Sequence, residues 1–153
     1  MITYRQITTA DREYESEKAL RDEVLRVPLG LTLSEADVRG EDGQIHLLAM
    51  DGQARVVGCV LIAPEGNGTA RVRQMAVAVR LRGRGIGAGL IAQAEILARA
   101  LPVRKLTIHA RLSARGFYER LGYRAASDTF IEMTIPHIAM EKSLAPENPR
   151  PEP

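Results

Sequence analysis

Arg71-Val72-Arg73-Gln74-Met75-Ala76-Val77-Ala78-Val79, followed by Arg82-Gly83-Arg84-Gly85-Ile86-Gly87-Ala88-Gly89, is the stretch on which the fold turns. A strand-like run leads through a glycine-rich turn into a helix. The helix is read from Ile86, Leu90, Ile91, Ala94, Leu97, Ala98 and Leu101, which share one helical face before Pro102. Strand, glycine turn and helix start together make an anion site. Successive backbone N–H groups point into the turn, and the helix dipole adds positive potential there. Glycines matter because a β-carbon would keep a phosphate away from the backbone. The charge pattern agrees: no Asp or Glu occurs from Gly66 through Ala94, whereas Arg71, Arg73, Arg80, Arg82 and Arg84 do. Arg82 and Arg84, inside the turn, read as phosphate ligands. Arg71 and Arg73 read equally well as a solvated face.

Working outward, Ile2 to Thr8 reads as a first strand, and Asp11 as the cap of a helix reaching Val27 before Pro28 and Gly30. Ser34-Glu35-Ala36-Asp37 suggests a second helix cap ahead of Gly43. Strands over Gln44–Met50, Arg55–Ala63 and Thr69–Val79 are separated by Asp51-Gly52 and by the turn Pro64–Gly68. Their tight turns predict an antiparallel meander. Val103–Ala110 follows as a strand and Ser113–Leu121 as a helix, with Gly122 suited to its left-handed end. Tyr123–Ala125 and Phe130–Met140 suggest a closing hairpin. Residues 1–144 form one expected domain, and residues 145–153, with four prolines, an expected disordered tail.

Composition excludes several classes. The chain has 153 residues, the size of one domain, and 21 Lys+Arg against 19 Asp+Glu. That balance argues against a bulk nucleic-acid or membrane binder. No aromatic residue interleaves the Arg71–Arg84 cluster, so there is no stacking platform for nucleic acid. The longest apolar stretch, Val56 to Ala63, is too short to span a bilayer. The opening residues, Met1 to Gln6, lack the apolar core of a signal peptide, so the expected location is cytoplasmic. The single cysteine, Cys59, reads as a small buried hydrophobe. The histidines lack ligand spacing and there is no cysteine pair, so no metal is expected.

Three phosphate-binding patterns compete for the glycine turn. A Walker loop needs Gly-Lys-Ser/Thr, and Gly87-Ala88-Gly89 stands there instead. A dinucleotide fingerprint is formally met by Gly83, Gly85 and Ala88. It expects an acidic residue about 20 positions on, where this chain has Thr107-Ile108-His109-Ala110-Arg111. The third pattern fits better: Arg82-x-x-Gly85-x-Gly87 resembles the R/Q-x-x-G-x-G/A pyrophosphate loop of the GNAT superfamily of N-acetyltransferases. Gln74-Met75-Ala76-Val77 resembles its cofactor-binding strand. Ser113-Ala114-Arg115-Gly116-Phe117-Tyr118-Glu119-Arg120-Leu121-Gly122-Tyr123 resembles its A-x-x-F-Y-x-x-L-G-Y/F helix. Phe130-Ile131-Glu132-Met133-Thr134-Ile135-Pro136-His137-Ile138-Ala139-Met140 looks like the F-x-E-x-G-I-P-H-x-x-M segment of the ElaA-like branch, and Leu20-Arg21-Asp22-Glu23-Val24 like its L-R-x-x-V segment. Two departures stand out, Arg80 where many members have Pro and Thr134 where the closing motif has Gly.

The resemblance implies an α/β (α+β) GNAT fold, a mixed, mostly antiparallel sheet of six to seven strands with helices on both faces. It implies acetyl-CoA as co-substrate and direct acetyl transfer to a primary amine. Arg82, Gly83, Arg84, Gly85, Ile86, Gly87 and Ala88 would hold the pyrophosphate, and Met75, Ala76 and Val77 the pantetheine. A backbone N–H of Val77 or Met75 would face the thioester oxygen, where negative charge develops. His109, Ser113 and Arg115 are further cofactor contacts. Tyr118 matches the family tyrosine that serves the departing thiolate, with Phe117 a core neighbour. An amine needs a proton acceptor, and Glu132, His137, His46 and His109 are the candidates, Glu132 and His137 favoured. On one regular strand those two would face opposite ways, so both could serve only across a bulge. Members are often homodimers. Two other readings stay open: an acyl-CoA-binding sensor without turnover, and an NADP-binding protein. The acceptor is open among protein N-termini, lysines, amino sugars, polyamines and small amines.

Overall fold

The computed structural model describes residues 1–144. The expected disordered tail lies outside the described residues. The described residues form two compact units, Met1–Ala63 with Arg73–Ala94, and Pro64–Val72 with residues 95–144.

The first unit holds β1 (Thr3–Ile7), β2 (Ile45–Met50), most of β3 (Val56–Gly66) and the end of β4 (Thr69–Val77), in the order β1-β2-β3-β4. β1 runs antiparallel to β2, and β2 to β3, as the tight turns predict. Val57 through Ile62 are buried without a break, which marks β3 as covered on both faces. Two helices belong here, α1 (Glu13–Arg21) and the first part of α2 (Ile86–Arg99). A β-carbon on Gly58 would lie 3.0 Å from Leu90 and 3.2 Å from Ile86, so the glycine lets α2 seat close against β3. On Gly89 it would fall on the hydroxyl of Tyr4.

Two local expectations fail here. Asp11 does not cap α1, because its carboxylate accepts the Thr8 N–H at 2.8 Å instead. Ser34 and Asp37 exchange the reciprocal bonds of a capping box, at 2.9 and 3.2 Å, yet only turns and a single 3-10 turn, Glu41–Gly43, follow. The next residues include Gly40, at φ +82°, and Gly43, which disfavour a helix.

The second unit holds the start of β4, β5 (Lys105–Arg111), β6 (Arg124–Ala125), β7 (Phe130–Glu132) and β8 (Ile135–Ser143), in the order β4-β5-β8-β6, with β7 also on β8. β4 and β5 are parallel from Thr69↔Lys105 to Val72↔Ile108, whereas β6, β7 and β5 each pair antiparallel with β8. The fold is thus α+β with a mixed sheet, of eight strands rather than six to seven. The extra strand arises because Phe130–Met140 is itself a hairpin, turned by Met133 (φ +49°) and Thr134 (φ +68°). One parallel pairing does not make the parallel sheet that a dinucleotide-binding domain requires, which removes that alternative. α3 (Arg115–Arg120) ends at Gly122, φ +95°, with Tyr123 N–H donating to the Tyr118 carbonyl at 3.0 Å. Leu106, Ile108, Tyr118, Tyr123, Ile138 and Met140 fill this unit's core.

Candidate active site

In the first unit the glycine turn has the form the sequence predicts. Arg82 to Gly85 are exposed, Gly83 and Gly85 adopt φ +78° and +83°, and nothing lies within 4 Å of where a β-carbon would stand on either. The backbone is therefore open to a close-approaching anion. The helical ladder begins with Gly89 N–H to the Gly85 carbonyl at 2.9 Å, so the N–H groups before it have no partner inside the helix. No acidic residue lies in the first turn of α2. Ile86 differs from its neighbours: its side chain is buried, so only its backbone can serve the turn. Arg80 and Arg84, with Arg55, line an open groove of about 390 Å³ beside it.

β4 carries a feature the sequence did not signal. Gln74 sits at φ +56° in the middle of the strand, between residues of ordinary extended backbone. An L-residue in that region interrupts the two-residue alternation and re-aims the strand, as in a bulge. The Cys59 thiol donates to the Gln74 carbonyl at 3.4 Å, and Ala78 N–H donates to Val57 at 2.8 Å, so β3 holds the strand on either side of the kink. Met75 and Val77 are half-buried and Ala76 buried. Cys59 is the buried hydrophobe expected, its thiol pKa pushed far up by burial.

In the second unit Tyr118 is buried, its ring edge-on to Phe117 and Tyr123 at 4.9 and 5.9 Å between centroids. Burial raises its pKa well above the ordinary 10, which keeps the hydroxyl protonated. Phe117 is only half-buried, against the expectation of a core residue, since α3 is short and turns that side outward. Ser113 is exposed, and Arg115 pairs with Glu119 one turn along at 3.5 Å.

The same unit gathers the polar candidates on one sheet face. Arg71 pairs with Thr107, His109 lies two residues further along β5, and Ala139 and His137 follow on β8. Phe130 faces His137 across the β7–β8 hairpin, with Glu132 two residues on. Strand pairing alone therefore puts Arg71, His109, Arg111, His137, Phe130 and Glu132 on one face. Arg71 Nη2 lies 2.6 Å from His109 Nδ1, and Glu132 Oε1 lies 3.0 Å from the same nitrogen. Glu132 Oε2 is 3.8 Å from His137 Nε2. His137 Nδ1 lies 2.9 Å from the Ile135 carbonyl. Burial alone would raise the Glu132 pKa, but the basic side chains around it outweigh burial and hold the carboxyl below its ordinary value. No bulge is needed for Glu132 and His137 to share a face, because a turn puts them on separate strands.

His46 stands elsewhere, at zero exposure in the first unit. Its Nδ1 lies 2.8 Å from Glu17 and its Nε2 2.7 Å from the Glu41 carbonyl. Arg21 reaches Glu17 at 3.0 Å and both oxygens of Glu41, at 2.8 and 2.6 Å, and the Tyr14 hydroxyl donates to Glu41 at 2.8 Å. Glu17, Glu41 and His46 have the ligand types of a metal site. Their lone pairs are committed to Arg21, Tyr14 and one another, so the cluster reads as a closed ionic network. With both ring nitrogens committed to acceptors in this network, His46 is withdrawn as a base.

A mixed α+β sheet with an open glycine turn at a helix start defines the class. The chain matches the family model described as an acetyltransferase (GNAT) domain over residues 13–144, and it belongs to that family. A Bacillus subtilis (strain 168) protein with a provisional acetyltransferase name is 30% identical over 129 residues, 84% of this chain and 86% of that one. Escherichia coli ElaA has the same fold, with a TM-score of 0.80 at 19% identity over 93% of this chain and 99% of that one. So does a GNAT family acetyltransferase from Elizabethkingia anophelis solved with acetyl-CoA bound, with a TM-score of 0.71 at 20% identity over 94% and 98%. Among the described residues no helix is long and apolar enough to cross a membrane.

Proposed function

We propose that the protein transfers the acetyl group of acetyl-CoA directly to a primary amine. The observation that carries this reading is the open backbone of Gly83 and Gly85 at the start of α2, flanked by Arg82 and Arg84, in a chain of the GNAT family. The acetyl-CoA bound to the Elizabethkingia relative supports the choice of co-substrate. Acetyl-CoA supplies an acyl group already activated as a thioester.

The backbone N–H groups of the turn from Arg82 to Ala88 would hold its pyrophosphate, and the α2 dipole favours negative charge at that point. Met75, Ala76 and Val77, beyond the Gln74 kink, would pair with the pantetheine, and a backbone N–H there would stabilise charge on the thioester oxygen. Tyr118, kept protonated by burial, would offer its hydroxyl proton to the departing sulfur. His109, Ser113 and Arg115 are the further cofactor contacts in this reading.

The amine needs a base, and here the hydrogen bonds discriminate. The Ile135 carbonyl can only accept, so a neutral His137 ring carries its proton on Nδ1 and leaves Nε2 bare. As the C–N bond forms and the C–S bond breaks, one amine proton would pass to His137 Nε2. The imidazolium so made faces the Glu132 carboxylate at 3.8 Å, which stabilises it.

Calorimetric titration with acetyl-CoA, CoA and NADPH tests the reading first. Micromolar binding of acetyl-CoA and CoA without NADPH is expected, followed by thiol release with members of an amine panel. Binding of NADPH, or of none of the three, overturns the cofactor assignment. Tight acetyl-CoA binding with no turnover on any amine class would instead make the protein an acyl-CoA sensor.

A further inference from the structure

We propose that Arg71 is a positioning residue that locks His109 in its Nε2–H tautomer, so that His137 alone presents a bare ring nitrogen beside Glu132. The proposal rests on the transferase reading for its role in catalysis, but the tautomers follow from geometry alone. A ring nitrogen either carries a proton and donates or is bare and accepts. His109 Nδ1 has two partners with opposite demands, Arg71 Nη2 at 2.6 Å and Glu132 Oε1 at 3.0 Å. A guanidinium is always protonated and can only donate, whereas an ionised carboxylate can only accept. One nitrogen cannot satisfy both.

The shorter contact decides. A proton on Nδ1 would point at an N–H group 2.6 Å away, so Nδ1 is bare and accepts from Arg71. Glu132 keeps its attraction to the Arg71 charge at 3.8 Å, and gains one to His137, 3.8 Å away, once that ring is protonated. Arg71 therefore acts at two points. It occupies the lone pair of His109, and with the proton held on Nε2 that ring becomes a hydrogen-bond donor rather than a base. It also sets a permanent positive charge beside Glu132, which keeps the carboxylate available to a protonated His137.

The site's asymmetry comes from strand pairing. Arg71 reaches His109 because β4 and β5 are parallel, with Arg71 opposite Thr107 and His109 two residues on. His137 lies beyond that reach on β8, opposite Arg111, and its Nδ1 is satisfied by its own hairpin. Two histidines of one sheet face are thus given opposite tautomers, one by a side chain and the other by a backbone carbonyl.

The test is nitrogen-15 NMR of histidine-labelled protein, free of ligand, near neutral pH. Wild type should show His109 as the Nε2–H tautomer and His137 as Nδ1–H. In Arg71→Met, His109 should switch to Nδ1–H, donating to Glu132, while His137 stays unchanged and reports an intact hairpin. Arg71→Lys, still a donor, should retain the wild-type pattern. An Nδ1–H signature for His109 in wild type overturns the proposal even if no variant folds, and so does an unchanged His109 in folded Arg71→Met. In turnover, Arg71→Met should lower kcat about 10-fold with the KM for acetyl-CoA unchanged, and Arg71→Lys should restore most of it. If the transferase reading fails, there is no turnover to compare, yet the NMR result still decides the tautomers.

Discussion

Glu132 and His137 meet across the Met133–Thr134 turn, with Oε2 and Nε2 3.8 Å apart on neighbouring strands of one hairpin. The pairing register places Glu132 opposite Ile135, two residues before His137, so the side chains are diagonal neighbours on the same face. Two consecutive residues at positive φ make this turn. Glu132 and His137 are thus positioned by backbone geometry that neither residue itself dictates.

If this pair takes the amine proton, Glu132→Gln should lower kcat by roughly 10- to 100-fold. The KM for acetyl-CoA should not change, because the carboxylate is assigned to the amine rather than the cofactor. The folded pKa of Glu132 lies below 4.5, so the carboxylate is fully formed throughout the neutral range. The activity of wild type should therefore show no loss assignable to Glu132 between pH 6 and 8. Steady-state kinetics on both proteins across that range checks this, and an equal loss of acetyl-CoA affinity would count against the role.

Tyr118→Phe removes a hydroxyl and leaves the ring that packs against Phe117 and Tyr123. The variant should fold, bind acetyl-CoA with affinity within about 3-fold of wild type, and turn over about 10-fold or more slower. Calorimetry and initial rates, measured side by side, separate the two effects. Unchanged turnover would remove Tyr118 from the chemistry.

Thr134 is β-branched and stands at φ +68°, where glycine carries no steric penalty. Thr134→Gly should relieve strain and stabilise the fold by about 1 kcal/mol. The gain is expected as a higher urea midpoint at constant slope. A lower midpoint would mean that the Thr134 side chain contributes more than its backbone costs.

The buried network predicts how stability follows pH. Burial opposes charge on His46, but its bonds to Glu17 and to the Glu41 carbonyl win, and its pKa is raised above 6.5. Both ring nitrogens face acceptors, so both carry protons, and two cations balance two carboxylates. A raised pKa contributes stability that is full below about 6.5 and is lost as pH rises through the folded value. Glu41 is the opposite case: burial would raise its pKa, but Arg21 and Tyr14 lower it, so its contribution is present above 4.5 and lost on acidification. The melting temperature should therefore be highest between those limits and fall toward alkaline pH. His46→Gln should cost about 3 kcal/mol or more, as for breaking a buried pair, and should flatten the alkaline slope. Thermal melts of both proteins from pH 5 to 9 test this.

Local signals in the chain match the structure where geometry and sequence are coupled over short range. The glycine turn announced itself because only glycine adopts φ near +80° freely, and α2 because its apolar residues recur on one face. Gly122 likewise marked the end of α3. The local failures came where a competing bond intervened, as with Asp11, whose carboxylate turned back to Thr8. The site was legible in part. The turn and Tyr118 carried recognisable motifs, whereas the Gln74 kink left no mark, since nothing about a glutamine requests a positive φ.

By itself, then, the sequence determined the α+β class, the open glycine turn at the start of α2, the burial of Cys59 and the residue types available for acid–base work, because these depend on composition and short-range periodicity. Tertiary structure alone decided that His46 is closed into an ionic network, that His109 lies against Arg71 and that His137 comes within 3.8 Å of Glu132. Those assignments depend on strand register, and register joins residues such as Arg71 and His109 that lie far apart along the chain. A single charge run cannot show whether an arginine faces water or a histidine across a parallel strand. The pairing of β4 with β5 settled that.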